Sequence, residues 1–309
     1  MNSKRFTISL ISLTTFVVVI YLAATEALIR AEVDGKDLFS SHALVFHKAR
    51  DHGTVNAAFG DSVVARGFAA TDLNFVNLGL GGESPFRTAI KLKAFFKKNK
   101  PNKVILSASP NIWFVDDAVD TYDNYKRTFV NNDRAFLRIS EPRNRYFSLD
   151  FWRKFIVDGQ LSESTFVREF GGFQQVDLLS ESLYGNKSGA EKSQNARDLI
   201  NRQKRKELFI KNNQSIFIDM IDFVKSHGGE VCLVSFPHSP SFRRELGPQD
   251  LFKTISASLW AEFAHNKKVV FVDLFQFFED DRYFMDFQHL NTTGAQILRK
   301  TVLNECFNN

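Results

Sequence analysis

Two widely separated stretches of this chain carry residue types that could do chemistry together. Gly60-Asp61-Ser62 follows a short apolar run, Val55 to Phe59, that reads as a β-strand. In an open α/β sheet, a serine at a strand's carboxyl end lies on the edge where such sheets bind ligands. Glycine permits the tight turn, and a helix from Val63 towards Phe68 would aim its N–H groups at negative charge beside the Ser62 hydroxyl. Far along the chain, Asp286-Phe287-Gln288-His289 sets a carboxylate three residues before an imidazole. In a turn, that spacing lets the carboxylate meet Nδ1, which fixes the tautomer, and leaves Nε2 free to take a proton from a hydroxyl. Each motif alone has an ordinary structural explanation, a helix cap for Gly-Asp-Ser and a cap or ion pair for Asp286. Together they supply a nucleophile, a general base and the group that orients the base.

The elements that must position these groups follow an α/β rhythm. Strands are expected at Val55 to Phe59, Asn74 to Leu78, Lys103 to Ser107, Glu230 to Ser235 and Lys268 to Leu274, with longer amphipathic stretches between them. Ser84-Pro85 starts one helix, a cap followed by proline at the first helical position, and Lys97, Lys98 and Lys100 before Pro101 close it. A second helix carries Phe209, Ile216, Met220 and Phe223 and stops at Gly228-Gly229, and Leu251, Ile255, Leu259 and Phe263 step by four along another. Leu290-Asn291-Thr292-Thr293-Gly294-Ala295 reads as the cap of the last helix. Residues 115–190 break the rhythm and are too many for a plain connection, so an inserted lid or subdomain is expected there.

Lys4 and Arg5 precede an uncharged run from Phe6 to Thr25. That run is about 20 residues, or about 30 Å of helix, which is enough to span a bilayer. The expected organisation is a cytoplasmic tail over 1–5, a transmembrane anchor over 6–28 and an extracytoplasmic domain over 29–309, because the positive charges lie before the run. Thr25-Glu26-Ala27 is a poor site for signal-peptide cleavage. The net charge of +5 comes from basic residues spread along the chain, which argues against nucleic acid as a partner. The 33 Phe residues imply a thick aromatic core. The two cysteines, Cys232 and Cys306, form no metal-binding pattern, and one disulfide between them is open. No metal or organic cofactor is expected.

Three blocks in order resemble the SGNH or GDSL-type hydrolases over most of 54–305. They are Gly60 to Ser62, the Asn77-Leu78-Gly79-Leu80-Gly81-Gly82-Glu83-Ser84 segment, and Asp286 to Asn291. The resemblance implies a three-layer, flavodoxin-like fold with a short parallel sheet. It implies Ser62, His289 and Asp286 as a catalytic triad, and an oxyanion hole made by the Ser62 amide, the Gly82 amide and the Asn111 side chain, with Gly81 or Gly79 as substitutes for Gly82. The third block departs from the family's Gly-x-Asn-Asp and reads Ser109-Pro110-Asn111-Ile112-Trp113-Phe114. With the anchor, that segment is similar to the membrane-tethered branch that works beside membrane-bound O-acyltransferases in teichoic-acid D-alanylation and exopolysaccharide O-acetylation. The function implied is an esterase or O-acyltransferase acting on acylated glycans or other esters of the envelope. The rival is a non-catalytic protein of the same fold that binds glycan or assists a membrane O-acyltransferase. His238, in the loop after the fourth strand, is expected to line the substrate groove. The remaining histidines, His42, His47, His52, His227 and His265, have no neighbours in sequence that suggest a role.

Overall fold

The computed structural model describes residues 15–16, 38–68, 75–110, 112, 129–130, 184, 187–204, 210–246 and 258–307. The expected anchor over 6–28 and lid over 115–190 fall almost wholly outside the described residues, and Asn111 falls outside them too. Among the described residues no helix is long and apolar enough to cross a membrane. The chain divides into two compact units, Met1–Ser41 with Asp133–Val167, and His42–Asn132 with Arg168–Asn309. Few residues of the first are described; the sheet and the candidate site belong to the second.

All five expected strands form: β1 (Ala57–Phe59), β2 (Val76–Asn77), β3 (Lys103–Ser107), β4 (Glu230–Ser235) and β5 (Val270–Asp273). They make one parallel sheet in the order β2-β1-β3-β4-β5, the doubly wound order of flavodoxin-like folds. The inner pair β3 and β4 has the limits its apolar runs predict, in register from Lys103 opposite Glu230 to Ser107 opposite Val234. β1, β2 and β5 are shorter than their runs. β5 cannot start at Lys268, because that residue turns left-handed (φ 51°) to end the preceding helix. Among the described residues β2 pairs only with β1, over two residues.

The helices are α1 (Leu38–Asp51), α2 (Ser62–Gly67), α3 (Pro85–Phe95), α4 (Gly189–Lys204), α5 (Ile210–Ser226), α6 (Pro240–Glu245), α7 (Trp260–Lys267) and α8 (Thr292–Phe307). α3 begins as its sequence dictates, with Ser84 Oγ accepting from the Arg87 amide and Pro85 at the first position. Alternation along the strands divides the core into two layers. Ala58, Ile105, Cys232 and Val234 face Val63 and Val64 of α2 and Leu298 and Val302 of α8. On the other side of the sheet, Phe59 meets the rings of Phe95 and Phe96 at 6.0 Å.

In α5 the buried stripe is Phe217, Met220, Ile221 and Val224. Of the residues expected there, Met220 is buried, while Ile216 and Phe223 flank the stripe half-exposed. The helix is turned by about one residue from that expectation, and Phe223 instead covers the His227 ring, 4.4 Å away. Cys232 in β4 and Cys306 in α8 form a disulfide across 74 positions, with Cα atoms 5.6 Å apart. Closing so long a loop is worth about 4 kcal/mol through the unfolded chain, and it staples the last helix to the middle of the sheet.

Candidate active site

Ser62 is the first residue of α2, directly after β1 and the turn at Gly60 and Asp61. The turn needs glycine twice over. Gly60 has φ 150°, and a Cβ there would lie 2.5 Å from Ser107 Cβ in β3. α2 is only six residues long and is held from outside by the buried Asn77 of β2. The Asn77 amide nitrogen stands among the carbonyls of Val64 (2.9 Å), Ala65 (3.1 Å) and Phe68 (2.6 Å) at the end of α2 and shares its two N–H groups among them, the Val64 carbonyl also accepting from the Phe68 amide. Its side-chain oxygen accepts from the Gly79 amide at 2.9 Å. The helix presenting Ser62 is thereby tied to the glycine-rich segment that follows β2.

His289 arrives from the other end of the chain on a short, self-closed loop. The Met285 amide donates to the His289 carbonyl (2.8 Å) and the Asn291 amide to the Tyr283 carbonyl (3.0 Å). Asn291 then caps α8, its side-chain oxygen accepting from the Gly294 amide at 2.9 Å. Within this loop Asp286 Oδ1 accepts from the amides of Gln288 and His289, both at 2.9 Å. Its Oδ2 lies 2.7 Å from His289 Nδ1. On the far side of the ring, Nε2 is 2.8 Å from Ser62 Oγ. Ser62, His289 and Asp286 form one hydrogen-bonded row.

The electrostatics suit proton transfer along that row. Burial alone would raise the Asp286 carboxyl. The His289 hydrogen bond and charge and the two loop amides outweigh it and hold Asp286 below the usual carboxylate range. An ionised Asp286 accepts Nδ1–H and leaves the Nε2 lone pair to accept the Ser62 hydroxyl. The imidazole side chain is 15% exposed and the Asp286 carboxylate 38% exposed. Asp61 beside it is different: burial pushes its carboxyl up to about 6, against the pull of His289. Ser107 Oγ lies 3.5 Å from Asp61 Oδ1 and 3.1 Å from Ser109 Oγ.

Gly82, the expected oxyanion donor, turns at φ 71° in the segment facing Ser62, and a Cβ on its neighbour Gly81 would come within 3.9 Å of Ser62 Cβ. Gly81 is thus beside the serine, while a Cβ on Gly82 would meet nothing within 4 Å. His238 does not line a groove. It is wholly buried, its ring 4.8 Å from Phe275 and 5.1 Å from Phe242, and burial pushes it down to about 4, so it is a neutral core residue. The loop holding it turns inward because its backbone is taken up by the neighbouring loops: the His238 amide donates to Phe275 O and the Ser239 amide to Phe287 O. Sequence reasoning also passed over Asn77, Asp61 as a buried acid, and a buried Glu83–Lys91 pair. The pair had a signal, since Lys91 stands in the apolar stripe of α3 with Thr88, Leu92 and Phe95.

Among the described residues no group of His, Cys, Asp and Glu could hold a metal ion. No protein-family model matches the chain, and no curated protein matches it. Solved structures similar to it include a lipase/acylhydrolase from Enterococcus faecalis, with 14% identity, a TM-score of 0.38, and 81% of this chain and 94% of that one covered. Another is an acetylxylan esterase from Geobacillus stearothermophilus, with 11% identity, a TM-score of 0.39, and 82% and 95% covered. A third is LAE5, an alpha/beta hydrolase enzyme from the metagenome of Lake Arreo in Spain, with 13% identity, a TM-score of 0.35, and 83% and 97% covered.

Proposed function

We propose that the protein is a serine-dependent esterase or O-acyltransferase of the SGNH type that acts on acyl esters of an envelope or extracellular polysaccharide. The 2.8 Å approach of Ser62 Oγ to His289 Nε2, with Asp286 on Nδ1, is the observation that supports it most. In this reading Ser62 Oγ attacks the acyl carbon while His289 takes its proton. The negative oxygen of the tetrahedral intermediate is met by the amides of Ser62 and Gly82 and by the Asn111 side chain. Collapse expels the sugar oxygen, which leaves with the proton from His289, and Ser62 keeps the acyl group as an ester. Water or a second hydroxyl, deprotonated by His289, then attacks that ester and frees Ser62. Hydrolysis and transfer differ only in this acceptor.

The Cys232–Cys306 bond supports a site outside the cytoplasm, because such bonds persist in oxidising compartments. The basic, then apolar, amino terminus supports a single-pass anchor with the domain on the periplasmic or extracellular side, and the likeness of Ser109 to Phe114 to the membrane-tethered branch of the family supports a membrane-bound O-acyltransferase as partner. The test is to give the purified protein an acetyl ester together with candidate glycans, and to follow acetate in water and acetyl on sugar. The expected result is acetyl release or transfer by the natural protein and at least about a thousandfold less by Ser62→Ala. Equal rates for the two proteins would sink the catalytic reading and leave a glycan- or partner-binding protein of the same fold.

A further inference from the structure

The segment between β2 and α3, from Leu78 to Ser84, carries Gly81 beside Ser62 and Gly82 next to it in sequence. Leu78 and Leu80 hang on β1 and its turn through amide bonds to the carbonyls of Ala58 (2.8 Å) and Gly60 (2.9 Å). A Cβ on Gly79 would lie 2.4 Å from the Ala65 amide nitrogen, so the segment is pressed against α2. After Leu80 the chain turns, with the Glu83 amide donating to the Leu80 carbonyl at 3.1 Å. Beneath the turn lies a charged group with no surface exposure. Lys91, from the buried stripe of α3, places Nζ 2.7 Å from the Glu83 carboxylate, and both side chains are 0% exposed.

An ammonium has three N–H donors. Those of Lys91 are matched by three acceptors: the Glu83 carboxylate, the Leu78 carbonyl at 2.5 Å and His42 Nε2 of α1 at 3.2 Å. Nζ also stands 5.7 Å from the centre of the Phe129 ring. Leu78 and Glu83 are the two ends of the glycine turn, so one side chain grips it at both. Lys91 is not needed to fill space, since an apolar residue of its length would do so without loss of hydration. Burial pushes Glu83 up to about 7 and Lys91 down. A buried pair is weak evidence for stability.

We propose that Lys91, paired with Glu83, is a positioning residue that sets the distance between the glycine turn at Gly81 and Gly82 and the Ser62 hydroxyl. This rests on the reading of Ser62 as a nucleophile with a glycine amide as oxyanion donor. Lys91 touches no substrate. Its effect reaches the reaction through the placement of that amide, for which an error of about 1 Å costs on the order of a hundredfold in rate.

The experiment compares two variants with the natural protein in hydrolysis of a small acetyl ester. Glu83→Asp keeps both charges and shortens the reach by one methylene. The double variant Glu83→Leu/Lys91→Met removes the pair without leaving one buried charge alone. Each is expected to lose about 10- to 100-fold in kcat, with KM within about threefold. The pH midpoint of kcat/KM should not move, because the histidine loop is untouched. Glu83→Asp keeps the question open to test if the double variant does not fold. The proposal is overturned if a folded variant keeps kcat within about twofold, or if kcat and KM deteriorate together in step with Tm. No turnover by the natural protein would instead remove the reading of Ser62 itself, and this proposal with it.

Discussion

The two sides of Ser62 are built on different physical principles. On one side, the loop from Tyr283 to Asn291 closes on itself with backbone bonds, and Asp286 binds the amides of Gln288 and His289 and the His289 ring. On the other, the turn from Leu78 to Ser84 is held from outside, by Asn77, by the end of β1 and by a charge pair buried under it. The first side is a local structure that brings its own geometry. The second takes its geometry from packing. The histidine loop should therefore tolerate distant damage, and the glycine turn should not.

The largest effect that would sharpen this contrast is on the histidine side. His289→Ala should lower kcat by about a thousandfold or more while Tm moves little, because the backbone bonds of the loop do not use the ring. A fall in Tm of many degrees with the same loss would mean that the ring also holds the loop together. Next comes the staple behind that loop. Replacing Cys232 and Cys306 together with alanine should cost about 4 kcal/mol in denaturant unfolding, yet leave kcat within about threefold in the folded protein. A kcat that falls with the disulfide would show that the loop depends on α8 for its shape.

The smallest effect concerns Asp61, which lies between the two sides. Its carboxyl is raised from 3.8 to about 6 by burial, so the native state holds that proton more tightly than the unfolded chain. Asp61 therefore favours folding most below about pH 4 and loses that contribution as pH rises through 6. Asp61→Asn should raise stability at pH 8 by at most about 3 kcal/mol, at roughly 1.4 kcal/mol for each tenfold change in proton affinity. The gain should shrink towards pH 5. Thermal melts at the two values would show it, and an equal shift at both would remove burial as its cause.

The same contrast explains what could be read from the sequence. Asp286 and His289 lie three residues apart in one turn, and Ser62 directly follows a strand, so their meeting at the sheet edge follows from local spacing and the α/β order. The strands β3 and β4 were legible at both ends because each apolar centre is bounded by a charged residue, Lys103 or Glu230, and by a serine, Ser107 or Ser235. The edges were not, since Lys268 ends a helix in a left-handed turn that its residue type does not announce. His238 illustrates the opposite failure: its loop was placed at the correct edge, but whether the ring faces out or in is decided by Phe242 and Phe275, which approach from other segments. The contacts of Lys91 with Glu83, Leu78 and His42 come from two other segments, the glycine turn and α1. Only its place in an apolar stripe hinted that it was buried.

Reaction with a fluorophosphonate, followed by mass spectrometry of the digested protein, tests the central claim most directly. A single phosphonyl group on the peptide containing Ser62 is expected, formed quickly by the natural protein and at least about a thousandfold more slowly by His289→Ala. A folded protein that leaves Ser62 unmodified, or modifies it equally fast without His289, would contradict the account.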